Sequence, residues 1–153
     1  MTVDIDALRS ALEGAVGAGQ VLTGDAISDD LTHDEALGIE GIRPAAVVRP
    51  TSTDQVAAVV AWAAANGVPV TARGAGTGMS GACIPHPDGI LISFEKMAAI
   101  VEIDLANHVA VVQPGVTLHQ LDEALVPHGL IYPVQPGENS ASLGGNVNTN
   151  AGG

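Results

Sequence analysis

Arg73 to Cys83 reads RGAGTGMSGAC, and the fold of the chain turns on how this stretch is read. Gly74, Gly76, Gly78 and Gly81 alternate with small residues, so only Arg73 and Met79 carry bulk. Such a segment cannot fill a core. Glycine reaches positive φ angles, which turn successive N–H groups to one side and form a concavity for an anion. Thr77 and Ser80 add hydroxyl donors. Gly76, Gly78 and Gly81 also satisfy the dinucleotide pattern G-x-G-x-x-G, with Glu95 about twenty residues on. That fingerprint needs a helix to begin at the glycines and receive the pyrophosphate at its N-terminus. Pro85 and Pro87 follow instead, and they exclude an ordinary helix. The match is accidental; a generic turn and a helix-free phosphate cradle remain, and the flanking segments must decide.

Upstream of the loop the pattern is strand, helix, strand. Ala45 to Arg49 is a short apolar run between Pro44 and Pro50. Ser52 opens a helix with Gln55 three residues on, the spacing of a capping box. Val56, Val59, Val60 and Ala63 form its apolar stripe, and Gly67 closes it. Val68 to Ala72 is the strand that delivers Arg73 and the loop, which completes a β-α-β unit of about thirty residues. Trp62 fits core or helix surface better than a ligand stack. Nearer the N-terminus, Ile5, Leu8, Leu12 and Val16 have helical spacing before a glycine stop. Leu22 to Gly41 is acidic and aperiodic, the pattern of a solvated surface loop with at most one helical turn.

Downstream, Gly89 to Ser93 is a third strand. Ile100 to Asp104 and Val109 to Gln113 flank Leu105 to His108 as a hairpin. Thr117 caps a helix carrying Leu118, Leu121, Leu125 and Val126, which Pro127 and Gly129 end. From Tyr132 onward the chain is rich in Gly, Asn and Ser and nearly uncharged. That composition is usual for disorder, and it equally suits a second loop of small donors lying against a ligand. Leu143, Val147 and Tyr132 bury too little to order this tail by themselves, so it is expected to exchange fast after Pro136.

Five basic residues face seventeen acidic ones, a formal net charge of −12, which argues against nucleic acid or an anionic membrane as partner. An anion must therefore be held mainly by backbone dipoles. With one Phe, one Trp and one Tyr, the core has to come from Ala, Val, Leu and Ile. The single cysteine, Cys83, allows no internal disulfide and fits a reducing compartment. MTVDIDALRS has no signal-peptide pattern, and the longest uncharged run, Gln55 to Ala72, contains Asn66, Gly67 and Pro69, which leave its apolar core too short for a membrane span. A soluble, cytoplasmic protein is expected. His33, His86, His108, His119 and His128 show no metal-ligand spacing, so no metal site is expected.

RPAAVVRPTSTDQV at Arg43 to Val56, VPVTARGAGTGMSG at Val68 to Gly81, VQPGVT at Val112 to Thr117 and SLGGNVNTNAGG at Ser142 to Gly153 carry a family likeness. Together they resemble the FAD-binding domain of vanillyl-alcohol oxidase-type flavoenzymes, also called PCMH-type. The sequence is most similar to the FAD-linked oxidase branch that holds glycolate oxidase and D-lactate dehydrogenase. The resemblance implies an α+β fold, with a β-α-β subdomain and the start of a second subdomain. Residues 1–42 then form an N-terminal helix and acidic loop, and residues 43–153 an FAD-binding domain incomplete at its C-terminus. It implies that Gly74, Gly76, Thr77, Gly78, Met79, Ser80 and Gly81 wrap the FAD pyrophosphate. Pro136, Gly137, Ser140, Gly144, Gly145, Asn146 and Asn150 would follow the pyrophosphate, ribityl chain and ring. Thr77 stands where relatives with covalent flavin have histidine, so FAD is expected to be non-covalent and Cys83 a small buried residue.

The implied whole protein is a dehydrogenase of 2-hydroxy acids such as lactate or glycolate, passing electrons to a separate acceptor. Cell-wall precursor reductases, sugar-lactone oxidases and cytokinin oxidases share the domain and stand as alternatives, as does a non-catalytic nucleotide- or phosphate-binding module. The family's substrate domain and catalytic histidines lie beyond the matched motifs. The chain is therefore expected to be an N-terminal part, inactive alone, and no residue in it is assigned a catalytic role.

Overall fold

A computed structural model describes residues 4–152. Helix α1 (Ile5–Val16) starts where Asp4 Oδ1 accepts from Asp6 N and Ala7 N at 3.1 and 3.2 Å, and it ends at Gly17. Leu8, Leu12 and Val16 are buried, whereas Ile5, expected in the same stripe, is exposed. Four short strands follow: β1 (Val21–Leu22), β2 (Ala46–Val48), β3 (Val70–Arg73) and β4 (Ile90–Ser93), with α2 (Thr53–Asn66) between β2 and β3. Ser52 Oγ accepts from Gln55 N at 3.3 Å, but the Gln55 side chain returns to Thr51 N at 2.7 Å rather than to Ser52. Gly67 closes α2 at φ +64°. Only Val59 and Ala63 of its stripe are fully buried; Val60 faces out, and Trp62 packs half-buried against the core.

The sheet order is β1-β2-β4-β3. β4 runs parallel to both β2 and β3, pairing Val47 with Leu91 on one side and Thr71 with Leu91 on the other. The two strands of the β-α-β unit are therefore separated by one that arrives later in the chain. The acidic segment also departs from a plain loop. Its first residue, Leu22, pairs with Val47 in β1, and two 3-10 turns follow at Gly24–Ala26 and Asp29–Thr32. Alternation across the sheet makes two cores. Ala46, Val48, Ile90 and Ile92 meet α1 and α2 on one face, while Val47 and Leu91 meet Ile27, Leu22 and Leu31 on the other. All of β4 is buried, as a central parallel strand covered on both faces should be.

A second layer contains the hairpin β5 (Ile100–Asp104) and β6 (Val109–Val112), helix α3 (Leu118–Leu125) and helix α4 (Leu143–Asn148). Asp104 Oδ1 accepts from Ala106 N and Asn107 N, both at 3.0 Å, which shapes the hairpin turn. Thr117 and Gln120 form a full capping box on α3. Val126 leaves the helix stripe and is exposed within a 3-10 turn, Val126–His128.

The tail is not the loose segment its composition suggests. Leu118 N donates to Ala141 O, Leu143 N to Val116 O and Gly144 N to Pro114 O, at 3.0, 2.8 and 2.9 Å. Ala141 and Leu143 complete a core with Val116, Leu118, Leu121 and Leu125. Counting only the tail's own side chains misses this, because the ordering comes from backbone pairing with the 114–119 segment.

Candidate functional site

The glycine loop leaves β3 at Arg73 and folds back over its side chain. Arg73 is only 8 % exposed, and its Nη1 donates to the carbonyl of His33. Gly76 sits at φ +80°, and a Cβ there would fall 2.1 Å from Arg73 Nη2. Glycine is demanded both by conformation and by the guanidinium behind it. The loop is also fastened to the acidic segment: Glu35 N donates to Gly78 O at 2.8 Å, and Asp34 Oδ2 accepts from Cys83 N at 3.4 Å. Asp34 Oδ1 takes Ala36 N at 3.1 Å. At 6 % exposure Asp34 is a buried support, contrary to the solvated face expected for that acid run. From Gly76 through Ala82, no backbone N–H reaches an acceptor among the described residues.

Ser142, the N-cap of α4, joins this loop to the second one. Its Oγ accepts from Ala75 N and from Gly145 N, both at 3.3 Å. Gly74 is packed so closely that a Cβ would lie 2.0 Å from Ser142 Oγ. Between the loops lies a cleft of about 250 Å³. Gly74, Gly76, Thr77, Gly78, Met79 and Ser80 line one wall, and Pro136, Gly145 and Asn146 the other. Asn146 is 7 % exposed, and its Nδ2 has no hydrogen-bond partner among the described residues. A buried amide donor without an acceptor costs free energy until something accepts from it.

Five residues singled out from the sequence stand elsewhere. Gly81, Gly137, Ser140, Gly144 and Asn150 do not line this cleft. Gly144 lets α4 close onto Pro114, whose carbonyl would sit 2.8 Å from a Cβ, and Ser140 Oγ donates to Glu138 Oε1 at 2.7 Å. That bond holds the Glu138 carboxyl below its ordinary value, so a negative charge stays at the cleft mouth. Ser142, Thr149 and Asp34 were not anticipated; the Ser142-x-x-Gly145 cap was the one legible signal. Cys83 lines the cleft half-buried. Burial pushes its thiol up, against the pull of Arg73, while Asp34 raises it further.

The profile of a family described as FAD binding domain matches residues 44–153. The chain belongs to that family. FAD is its cofactor. Its sequence is 54% identical over 138 residues to an uncharacterized FAD-linked oxidoreductase of Mycobacterium tuberculosis, covering 90% of this chain and 30% of that protein. A D-lactate dehydrogenase of Anaerostipes hadrus is 46% identical over 134 residues, covering 88% of this chain and 28% of the relative. Glycolate oxidase subunit GlcD of Escherichia coli is 42% identical over 120 residues, with 78% and 24% covered. The chain thus spans 24% to 30% of the length of these curated relatives. Among solved structures, 4-ethylphenol oxidase from Gulosibacter chungangensis superposes with TM-score 0.79 at 26% identity over 95% of this chain and 29% of its own. p-Cresol methylhydroxylase gives 0.77 at 23% identity over 93% and 28%. The fold is therefore the α+β PCMH-type FAD-binding fold, of which this chain covers the start. Among the described residues no helix is long and apolar enough to cross a membrane.

Proposed function

We propose that residues 43–153 form the FAD-binding part of an enzyme that oxidises 2-hydroxy acids of the lactate or glycolate type, and that the cleft between the two loops takes the FAD diphosphate. The observation that carries this reading is the pairing of uncommitted loop N–H groups, Gly76 to Ala82, with the buried, unpartnered amide of Asn146 across one cleft. Backbone donors suit a chain with only five cations. When bound, FAD supplies the acceptor for a hydride from the substrate carbon. This chain's share is to hold and orient it: Gly74, Gly76, Thr77, Gly78, Met79 and Ser80 on one side, and Pro136, Gly145 and Asn146 on the other. Gly81, Gly137, Ser140, Gly144 and Asn150 act by shaping the backbone around them. The names of the relatives, D-lactate dehydrogenase and glycolate oxidase, support the hydroxy-acid class. A separate electron acceptor and a cytoplasmic setting complete the reading, the latter in keeping with one unpaired thiol.

The test has two parts. The chain is mixed with FAD, passed over a desalting column and examined for flavin absorbance, with Asn146→Leu as the comparison. Retention by the parent and loss in the variant are expected; equal retention overturns the site. The full-length protein containing this sequence is then given D-lactate or glycolate with a redox dye. Dye reduction by neither acid overturns the substrate class.

A further inference from the structure

On the other side of the glycine loop lies a second cavity, of about 500 Å³, that the flavin reading does not use. It sits at the C-terminal ends of β2, β4 and β3, where ligands of open parallel sheets gather because strand ends and their following loops leave a crevice. Arg49 follows β2, Arg73 ends β3, and Ser93 ends β4 paired with Arg73. Gly74 and Ala75 line both this cavity and the flavin cleft.

The two cations of this cavity differ: Arg49 is ion-paired with Glu95 at 3.4 Å, whereas Arg73 is not paired among the described residues. Arg73 is nine-tenths buried, yet it makes no ion pair among the described residues; only one of its nitrogens is seen to donate, to the His33 carbonyl. A guanidinium carries five N–H donors and its charge at every accessible pH, so burial without an anion is costly. Arg49 Nε is buried with no hydrogen-bond partner among the described residues. The other groups on Arg49 are engaged, Nη2 with the Gly19 carbonyl at 3.0 Å and Nη1 with Glu95 Oε1 at 3.4 Å. Two of the chain's five cations thus border one cavity in a molecule of net charge −12. The carboxylates that share it, Glu95 and Asp30, are both exposed.

We propose that this cavity is a second anion site, taking a small phosphate- or carboxylate-bearing molecule between Arg73 and Arg49, with the hydroxyls of Ser93 and Ser28 as further donors. Glu95, paired with Arg49, and Asp30 oppose any anion entering at the edge. Because Gly76 packs on the Arg73 guanidinium, an anion that fixes Arg73 also fixes the loop facing the flavin cleft.

The test is a titration of the chain with inorganic phosphate, read by NMR at the Nε–H signals of Arg49 and Arg73. Saturable shifts of both are expected, weakened about tenfold in Arg49→Gln, the worth of one charge-assisted hydrogen bond, and tightened in Glu95→Gln. Arg73→Gln should abolish them; should that variant fail to fold, Arg49→Gln and Glu95→Gln carry the test alone. Signals that do not move, or affinities unchanged in Arg49→Gln and Glu95→Gln, overturn the site. The titration is repeated with FAD present. Undiminished phosphate shifts support a separate site, whereas competitive displacement assigns the cavity to the flavin's own diphosphate and overturns the proposal. Failure of FAD to bind at all would count against the flavin reading and leave the phosphate result standing.

Discussion

At Gly74 the first loop packs against Ser142 of the second, and that makes the contact measurable. Its φ is not positive, so an alanine is opposed chiefly by Ser142 Oγ, 2.0 Å from the added Cβ, with Ser142 Cβ at 3.2 Å. Gly74→Ala should cost about 1–3 kcal/mol as an overpacking change, and Ser142→Ala about 1 kcal/mol as a lost N-cap. The double variant should cost less than the sum, because removing the hydroxyl makes room for the methyl; urea denaturation of the four proteins checks it. Gly76 differs. A side chain there strikes the Arg73 guanidinium and meets a positive φ, so Gly76→Val disturbs the loop from behind rather than filling the phosphate space directly. Cys83 gives a pH prediction. Its folded thiol ionises above the ordinary 9.0, chiefly through burial. As pH rises past 9.0 the unfolded chain loses that proton first, so stability falls from there up to the raised folded value. Urea midpoints of parent and Cys83→Ala, compared well below and well above 9.0, should show an alkaline loss confined to the parent.

Helix α4 is the element on which composition misleads most. Its six residues, LGGNVN, have poor helix propensity, yet Ser142 caps them and Gly144 N is tied to Pro114 O at 2.9 Å. The amides of Leu118, Leu143, Gly144 and Asn146 should therefore exchange slowly in the chain without added flavin, as hydrogen exchange would show. Uniformly fast exchange from 137 onward would contradict the packing of this tail. Helix α3 is short and depends on its start. With both halves of the Thr117–Gln120 box formed, Thr117→Ala should cost about 1 kcal/mol and lower the thermal midpoint.

On the scale of the whole molecule, the two layers bring together loops about sixty residues apart in sequence, and the cofactor is expected to be held without a covalent bond. Thr77 offers no ring nitrogen to the flavin, and the Cys83 thiol is kept protonated by burial. Acid precipitation of the flavin-loaded protein should release all colour into the supernatant; colour in the pellet would point to Cys83.

Local chemistry was legible in the residues themselves. Ser52 and Thr117 each place an oxygen on the first turn of a helix, Gly67 ends α2 at positive φ, and the apolar runs of β2 and β4 are strands, as their lengths and flanking residues indicate. These depend on contacts within a few residues, which sequence order encodes directly. The glycine loop and the Ser142–Gly153 motif were likewise enough to name the family. What only the tertiary structure decided are the contacts between distant segments. β4 enters between β2 and β3, and Asp34 is drawn from an acid run to anchor the loop at Cys83. Arg73 donates to the carbonyl of His33, and Ser142 bridges to Ala75. Each such contact forms between groups that no local spacing relates, because its partner is supplied by the packing of the two layers and not by the neighbouring residues.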